Sequence, residues 1–207
     1  MKVAVVNYGM GNLGSVRRAF EDLGAEVTIA EHPAALYQAN RVVLPGVGAF
    51  GEGMARLQAG GWVDELRKLA AEGQRPLLGI CLGMQMLATR GEEGGINEGL
   101  GLVDGTIRRL DTLGCTSRIP HVGWNDITFT REDPLFAGIP QHSDFYFVHS
   151  FAFDASSEDD VTARVTYDVP VVAAVRCRNV FGTQFHPEKS SKAGRQILRN
   201  FLDFKPC

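Results

Sequence analysis

Two hydrophobic periods divide the chain. In the first half, short apolar runs rich in β-branched residues at positions 3–8, 26–30, 41–44 and 75–80 predict strands, and the segments between them carry helical spacing. Ser15 is a candidate cap for a helix running towards Gly24. Positions 62–72 set Trp62, Val63, Leu66, Leu69 and Ala70 on one stripe, with Gly73 closing the helix. Strands alternating with helices imply a parallel sheet covered on both faces. Beyond Gly101 the character changes. Runs at 119–129, 145–153, 161–167, 171–177 and 180–185 follow one another with turns between them, which predicts an antiparallel extension of the sheet. Ile197, Leu198, Phe201 and Leu202 recur at helical spacing and predict a closing helix over 193–204. The expected fold is α/β, a doubly wound, mostly parallel sheet with helices on both faces plus an antiparallel strand extension, in a single domain spanning 1–207.

Composition narrows the function classes. With 207 residues, 44% of them hydrophobic, the chain can bury one substantial core, and a second full domain is not expected. A net charge of -3 gives no general attraction to phosphate backbones, so nucleic acid is not an expected partner. The longest mostly apolar stretch, 76–88, is too short to span a bilayer, and the first residues read as a strand rather than a signal peptide. A cytoplasmic address without membrane attachment is the expectation. Cys81, Cys115, Cys177 and Cys207 are far apart in every pairing, which fits neither a metal clip nor a small disulfide scaffold.

One cysteine stands out. In LLGICLGMQML, positions 77–87, Cys81 has a glycine two places before it and two places after it, directly following an apolar run. If that run is a strand and Leu82 opens a helix, Cys81 occupies the sharp turn between them, as serine does in a G-x-S-x-G nucleophile elbow. Gly79 and Gly83 are then required for space, because a Cβ at either would collide with the adjoining strand or helix. The turn exposes the sulfur at the carboxyl end of the sheet and sets it at a helix N-terminus, which favours thiolate. The plain alternative is a buried structural cysteine beside a glycine-rich turn.

A hundred residues downstream, FGTQFHPEKS at 181–190 offers a base. His186 and Glu188 are two apart on what reads as a strand end, so both side chains project from one face. Pro187 between them removes a ladder donor, which a strand end tolerates. His186 could move protons while Glu188 accepts its other N–H and fixes the tautomer. The alternative is a surface strand end with two polar residues.

These residues together resemble the class I (triad) glutamine amidotransferases, in which Cys, His and Glu hydrolyse glutamine to release ammonia. GICLGMQ and the later HPE carry the resemblance, which runs over nearly the whole chain. It is closest to the glutaminase subunits of imidazole glycerol phosphate synthases, through LPGVGAF at 44–50, PHVGWN at 120–125 and YFVHSF at 146–151. The resemblance implies a catalytic triad of Cys81, His186 and Glu188, L-glutamine as substrate, and neither a cofactor nor a metal. Its oxyanion donors would be the Leu82 N–H and the Val47 N–H, with Gly46 and Gly48 allowing the Val47 peptide to rotate between two states. Gln85, one helical turn past Cys81, points into the same pocket. Glu93 matches the family's glutamate for the substrate amino group, and His149 and Ser150 line the pocket through their backbone. The same resemblance implies a heterodimer with a separate (β/α)8-barrel cyclase that accepts the ammonia in histidine biosynthesis. It also implies low glutamine turnover without that partner. Asn12, His121, Trp124 and Lys189 would face the partner. For His121 and Trp124 the ordinary alternative is an apolar core with a satisfied histidine.

GMGNLG, positions 9–14, supports a competing reading. It matches G-x-G-x-x-G between a predicted strand and helix, with Glu31 after the second strand, and so resembles the fingerprint of an NAD(P)-binding oxidoreductase. The antiparallel second half is not the further βαβ unit such a site needs. A third reading, a redox sensor built on Cys81, leaves Glu188, Gln85 and PGVG without a role.

Overall fold

A computed structural model describes residues 1–206, so Cys207 lies outside the described residues. The first half follows the predicted alternation: β1 (Lys2–Val6), α1 (Leu13–Glu21), β2 (Glu26–Ala30), β3 (Arg41–Gly46), α2 (Phe50–Ala59), α3 (Trp62–Glu72), β4 (Leu77–Cys81) and α4 (Leu82–Met86). The second half is mostly strand: β5 (Arg90–Gly91), β6 (Asn97–Glu98), β7 (Gly105–Arg109), β8 (His121–Phe129), β9 (Ser143–His149), β10 (Phe151–Ala155), β11 (Val161–Tyr167), β12 (Val169–Cys177) and β13 (Val180–Thr183). The chain then enters α5 (Ser191–Asp203).

Nine strands form one sheet in the order β2-β1-β3-β4-β13-β12-β11-β8-β9. Pairings from β2 to β13 are parallel, and those from β13 to β9 are antiparallel. Residues alternate between two cores, one on each face, as the period of a strand requires. Val3, Val5, Val43, Leu78 and Ile80 join Val16 and Phe20 of α1 and the apolar stripe of α5. Ala4, Val6, Val42, Leu44 and Leu77 join α2, α3 and α4. Burying Ile197, Leu198, Phe201 and Leu202 of α5 contributes about 1.5–3 kcal/mol each relative to exposure. Buried Arg41, at the start of β3, donates to the carbonyls of Phe201 and Leu202 (3.0 and 3.1 Å), placing a cation at the C-terminal end of that helix.

Three local expectations change. Asn12, not Ser15, caps α1: its side-chain oxygen accepts from the Ser15 N–H at 3.2 Å. The apolar run 145–153 is two strands, broken at Ser150, and they belong to different sheets. β10 leaves the main sheet for a second one of order β10-β7-β5-β6, packed through Ile107 and Phe153 on the core that α2, α3 and α4 share. The strand expected over 180–185 ends at Thr183, although the Gln184 N–H still donates to the Ala173 carbonyl at 2.8 Å.

Candidate active site

β3, β4 and β13 are neighbours, and their carboxyl ends reach one rim of the sheet. The middle strand ends at Cys81, which is the residue before α4 and has φ 55° and ψ -112°. A side chain in that region of backbone space costs on the order of 1–3 kcal/mol, so the surroundings must impose it. They do so through close backbone contact. A Cβ on Gly83 would lie 1.8 Å from the Leu44 carbonyl oxygen, and one on Gly79 would lie 2.7 Å from the Gly83 carbonyl oxygen. Gly46, paired with Cys81, is equally constrained: its Cβ would fall 2.8 Å from Leu82 Cβ and 2.9 Å from the Gly83 nitrogen. Gly46 therefore serves close packing inside β3. Only Gly48, at φ 111° and facing the flexible end of Met10, lends freedom to the Val47 segment. The Tyr8 hydroxyl donates to the Pro45 carbonyl at 3.0 Å and holds this strand end in place.

His186 and Glu188 lie past the strand, where the chain turns through Pro187–Lys189. The turn, rather than strand alternation, brings them together. His186 Nδ1 and Glu188 Oε1 are 2.8 Å apart, with side chains only 3% and 2% exposed. Nδ1–H donates to the carboxylate, which leaves Nε2 on the opposite side of the ring. That nitrogen has no formed hydrogen bond among the described residues. Burial pulls the His186 pKa down, but the Cys81 sulfur and the Glu188 carboxylate together overcome it and raise it from 6.5 to about 9.

A cavity of about 320 Å³ opens at this point, and both Cys81 and His186 line it. So do Val47, Gly48, Leu82, Gln85, Glu93, His149 and Ser150, the full set expected around the substrate. Gln85 is buried and directs Nε2 at the Phe151 carbonyl (2.9 Å) and Gln184 Oε1 (3.0 Å). Glu93 Oε2 accepts the Phe50 N–H at 2.7 Å, at the start of α2. His149 is buried. Its Nδ1 donates to the Phe151 carbonyl (2.9 Å), so its Nε2 accepts from His121 Nδ1 (3.0 Å). Burial pushes the pKa of His149 down to about 3 and that of His121 down to about 4.

The residues expected to face a partner divide. Asn12 and Lys189 are exposed, and Trp124 is 54% exposed. His121 departs from that expectation: it is 3% exposed and stacked between Phe147 and Tyr167, the satisfied interior histidine of the alternative reading. Gln184, fully buried, also reaches the site without having been expected there, with Nε2 3.7 Å from Cys81 Sγ. Its signal is an uncharged polar residue in FGTQF, inside an otherwise apolar run. Just before the GMGNLG loop, Asn7 occupies Glu31, donating from Nδ2 to Oε2 at 2.9 Å, while its own oxygen takes the Gly9 N–H.

A strained turn that presents a cysteine, a carboxylate-oriented imidazole in the same cavity and a parallel sheet with an antiparallel extension have the arrangement that suits thiol-based acyl transfer. The model of the family described as glutamine amidotransferase class-I matches residues 4–204, and the chain belongs to that family. Within it, the chain is 45% identical over 199 residues to imidazole glycerol phosphate synthase subunit HisH of Moorella thermoacetica, covering 96% of this chain and 93% of that protein. It is 43% identical to imidazole glycerol phosphate synthase subunit HisH 1 of Campylobacter jejuni, covering 96% and 98%. Similar solved structures include PurLQS from Thermotoga maritima, with a TM-score of 0.76 at 21% identity over 98% of this chain and 97% of that one. A crystal structure of a glutamine amidotransferase matches with a TM-score of 0.74 at 24% identity, covering 97% of both. At those identities the likeness speaks to fold alone. None of these relatives supports the oxidoreductase or redox-sensor readings.

Proposed function

We propose that this chain is the glutaminase subunit of an imidazole glycerol phosphate synthase, hydrolysing L-glutamine to glutamate and delivering the ammonia to a separate cyclase subunit with a (β/α)8 barrel. The observation that carries the reading is the meeting of Cys81 and His186 in one cavity, with Glu188 2.8 Å behind the imidazole.

The chemistry follows from those positions. The Cys81 thiolate attacks the side-chain amide carbon of glutamine, forming a C–S bond while charge builds on the carbonyl oxygen. The N–H groups of Leu82 and Val47 are the donors for that oxygen. Nε2 of His186, protonated, gives its proton to the amide nitrogen as the C–N bond breaks, and ammonia leaves. Water then attacks the glutamyl thioester with His186 as base, the C–S bond breaks, and glutamate departs from a restored thiolate. Glu188 holds Nδ1–H throughout, so Nε2 remains the nitrogen that exchanges protons. Gln85 spends both amide hydrogens inside the protein, which leaves its oxygen, with the Glu93 carboxylate, to receive the substrate ammonium.

The partner face adjoins the cavity. Val122 pairs directly with Val148 across β8 and β9, and both are exposed, at 56% and 37%. Next along, Trp124 pairs with Tyr146, whose ring lies 5.8 Å from the Lys189 ammonium. Alternation sends Val122 and Trp124 outward and His121 inward, so β8 carries apolar side chains on its solvent face. Such an inverted strand supports a docking surface at the cavity mouth, and Val148 and Val47 continue it into the rim. The test mixes the chain with candidate synthase subunits and measures glutamate release. Release by wild type, its loss in Cys81→Ala, and stimulation by one cyclase are expected. Glutamate release that survives Cys81→Ala overturns the triad assignment.

A further inference from the structure

Gln184 is fully buried, and no step above uses it. Its place follows from register: Thr183 of β13 pairs with Ile80 of β4, so the next residue lies alongside Cys81. It shares a strand face with Gly182, the face on which Met84 of α4 packs. The direction of its amide is fixed from a distance. The Phe151 carbonyl can only accept, and it receives Gln85 Nε2 (2.9 Å) as well as His149 Nδ1 (2.9 Å). Gln85 therefore turns its nitrogen inward, and the second hydrogen of that nitrogen goes to Gln184 Oε1 at 3.0 Å. With its oxygen committed, Gln184 can offer only its NH2 group on the other side. Nε2 lies 3.7 Å from Cys81 Sγ.

We propose that Gln184 is a catalytic residue whose side-chain amide donates to the Cys81 sulfur and favours thiolate over thiol. The Val148 carbonyl, 3.8 Å from the same sulfur, acts in the opposite sense, since it accepts from the thiol and repels the thiolate. The other titratable groups around the sulfur are His186, Tyr8, Glu93 and His149, and none of them changes when Gln184 is replaced. The inference rests on Cys81 as the nucleophile, but its test is made on the thiol itself. A failure of glutamine turnover is thereby separable from a failure of the proposal.

The experiment alkylates full-length wild type, Gln184→Met and Gln184→Glu with iodoacetamide across a pH series. Mass spectrometry of the peptide carrying Cys81 separates it from the other cysteines. In Gln184→Met the pH midpoint of Cys81 alkylation is expected to rise by about one pH unit, a tenfold loss of thiolate below the midpoint. Gln184→Glu, which keeps an acceptor for Gln85 and sets a carboxyl against the sulfur, should raise it further. In wild type, the Gln184 side-chain amide resonances should shift with that same midpoint, and should not do so in Cys81→Ala. An unmoved midpoint in a folded variant overturns the proposal. Should neither variant fold, wild-type amide resonances that ignore the thiol titration overturn it equally.

Discussion

Glu188→Gln preserves the shape of the side chain and removes its charge, which makes it the sharpest probe of the imidazole. In wild type the His186 pKa of about 9, against an ordinary 6.5, corresponds to about 3 kcal/mol in favour of the charged ring. Burial opposes that preference, so it is held jointly by the Cys81 sulfur and by Glu188, whose Oε1 is 2.8 Å from Nδ1. Losing one of two comparable partners should lower the ring's titration midpoint by at least about one pH unit. The glutamine carbonyl can still accept from Nδ1–H, so the tautomer survives and charge is separated from geometry. Stability should respond with a definite sign. Because the folded pKa is raised, the native state holds the extra proton between pH 6.5 and about 9; its stabilisation is complete below 6.5 and is lost as pH rises through 9. Glu188→Gln should flatten that decline. The assays are an NMR titration of the His186 ring, urea unfolding across the same pH range, and glutamate release in the presence of the proposed cyclase partner, expected to fall about 10²-fold or more. A ring that titrates as in wild type in the variant would refute the coupling.

Three further perturbations test the frame. Gly83→Ala places a Cβ 1.8 Å from a backbone oxygen that no rotamer can relieve, so a loss beyond about 4 kcal/mol or failure to fold is expected. Gly14→Ala, in α1 with nothing within 4 Å of the new Cβ, should instead gain about 0.5–1 kcal/mol by urea unfolding. Phe201→Ala removes a fully buried ring packed on Phe20 and Phe181 at centroid distances of 6.3 and 6.0 Å, and should cost about 3–5 kcal/mol. A smaller loss would mean that α5 is not the lid of its core.

How far these features could be read from the chain depends on how local their causes are. The elbow was legible because Gly79 answers a contact within the strand, turn and helix it belongs to, and the spacing of two glycines about Cys81 marks the turn even though the crowding at Gly83 comes from Leu44 on the neighbouring strand. Gly46 was misjudged because its crowding comes from Leu82 and Gly83, which no period in positions 44–50 reveals. His186 and Glu188 were recognisable as chemistry, yet their meeting depends on the Pro187–Lys189 turn rather than on the strand alternation expected for them. The second sheet escaped because β5 and β6 are two residues each and carry no period at all, and because the apolar run through Ser150 gives no sign of a change of sheet. His121 shows the same limit from the other side. A strand with apolar residues outward reverses the pattern that tells core from surface, and only the fold shows which face is wet.

The antiparallel extension explains why the site is not where GMGNLG points. In an open parallel sheet, ligands favour the crevice outside the carboxyl ends of the strands where the strand order reverses. Here that reversal falls between β1 and β3, beside the glycine loop that follows β1. A second βαβ series would have kept adding strands and helices outward from β4. This chain instead travels out along the small sheet and the β8–β9 hairpin, and returns through β11 and β12. It then lays β13 parallel to β4 with both carboxyl ends at one rim. That return brings His186, with Glu188 behind it, to the cavity of a cysteine a hundred residues earlier. The strand-ordering detour, more than the glycine loop, is what converts a nucleotide-binding type of scaffold into a nucleophilic one.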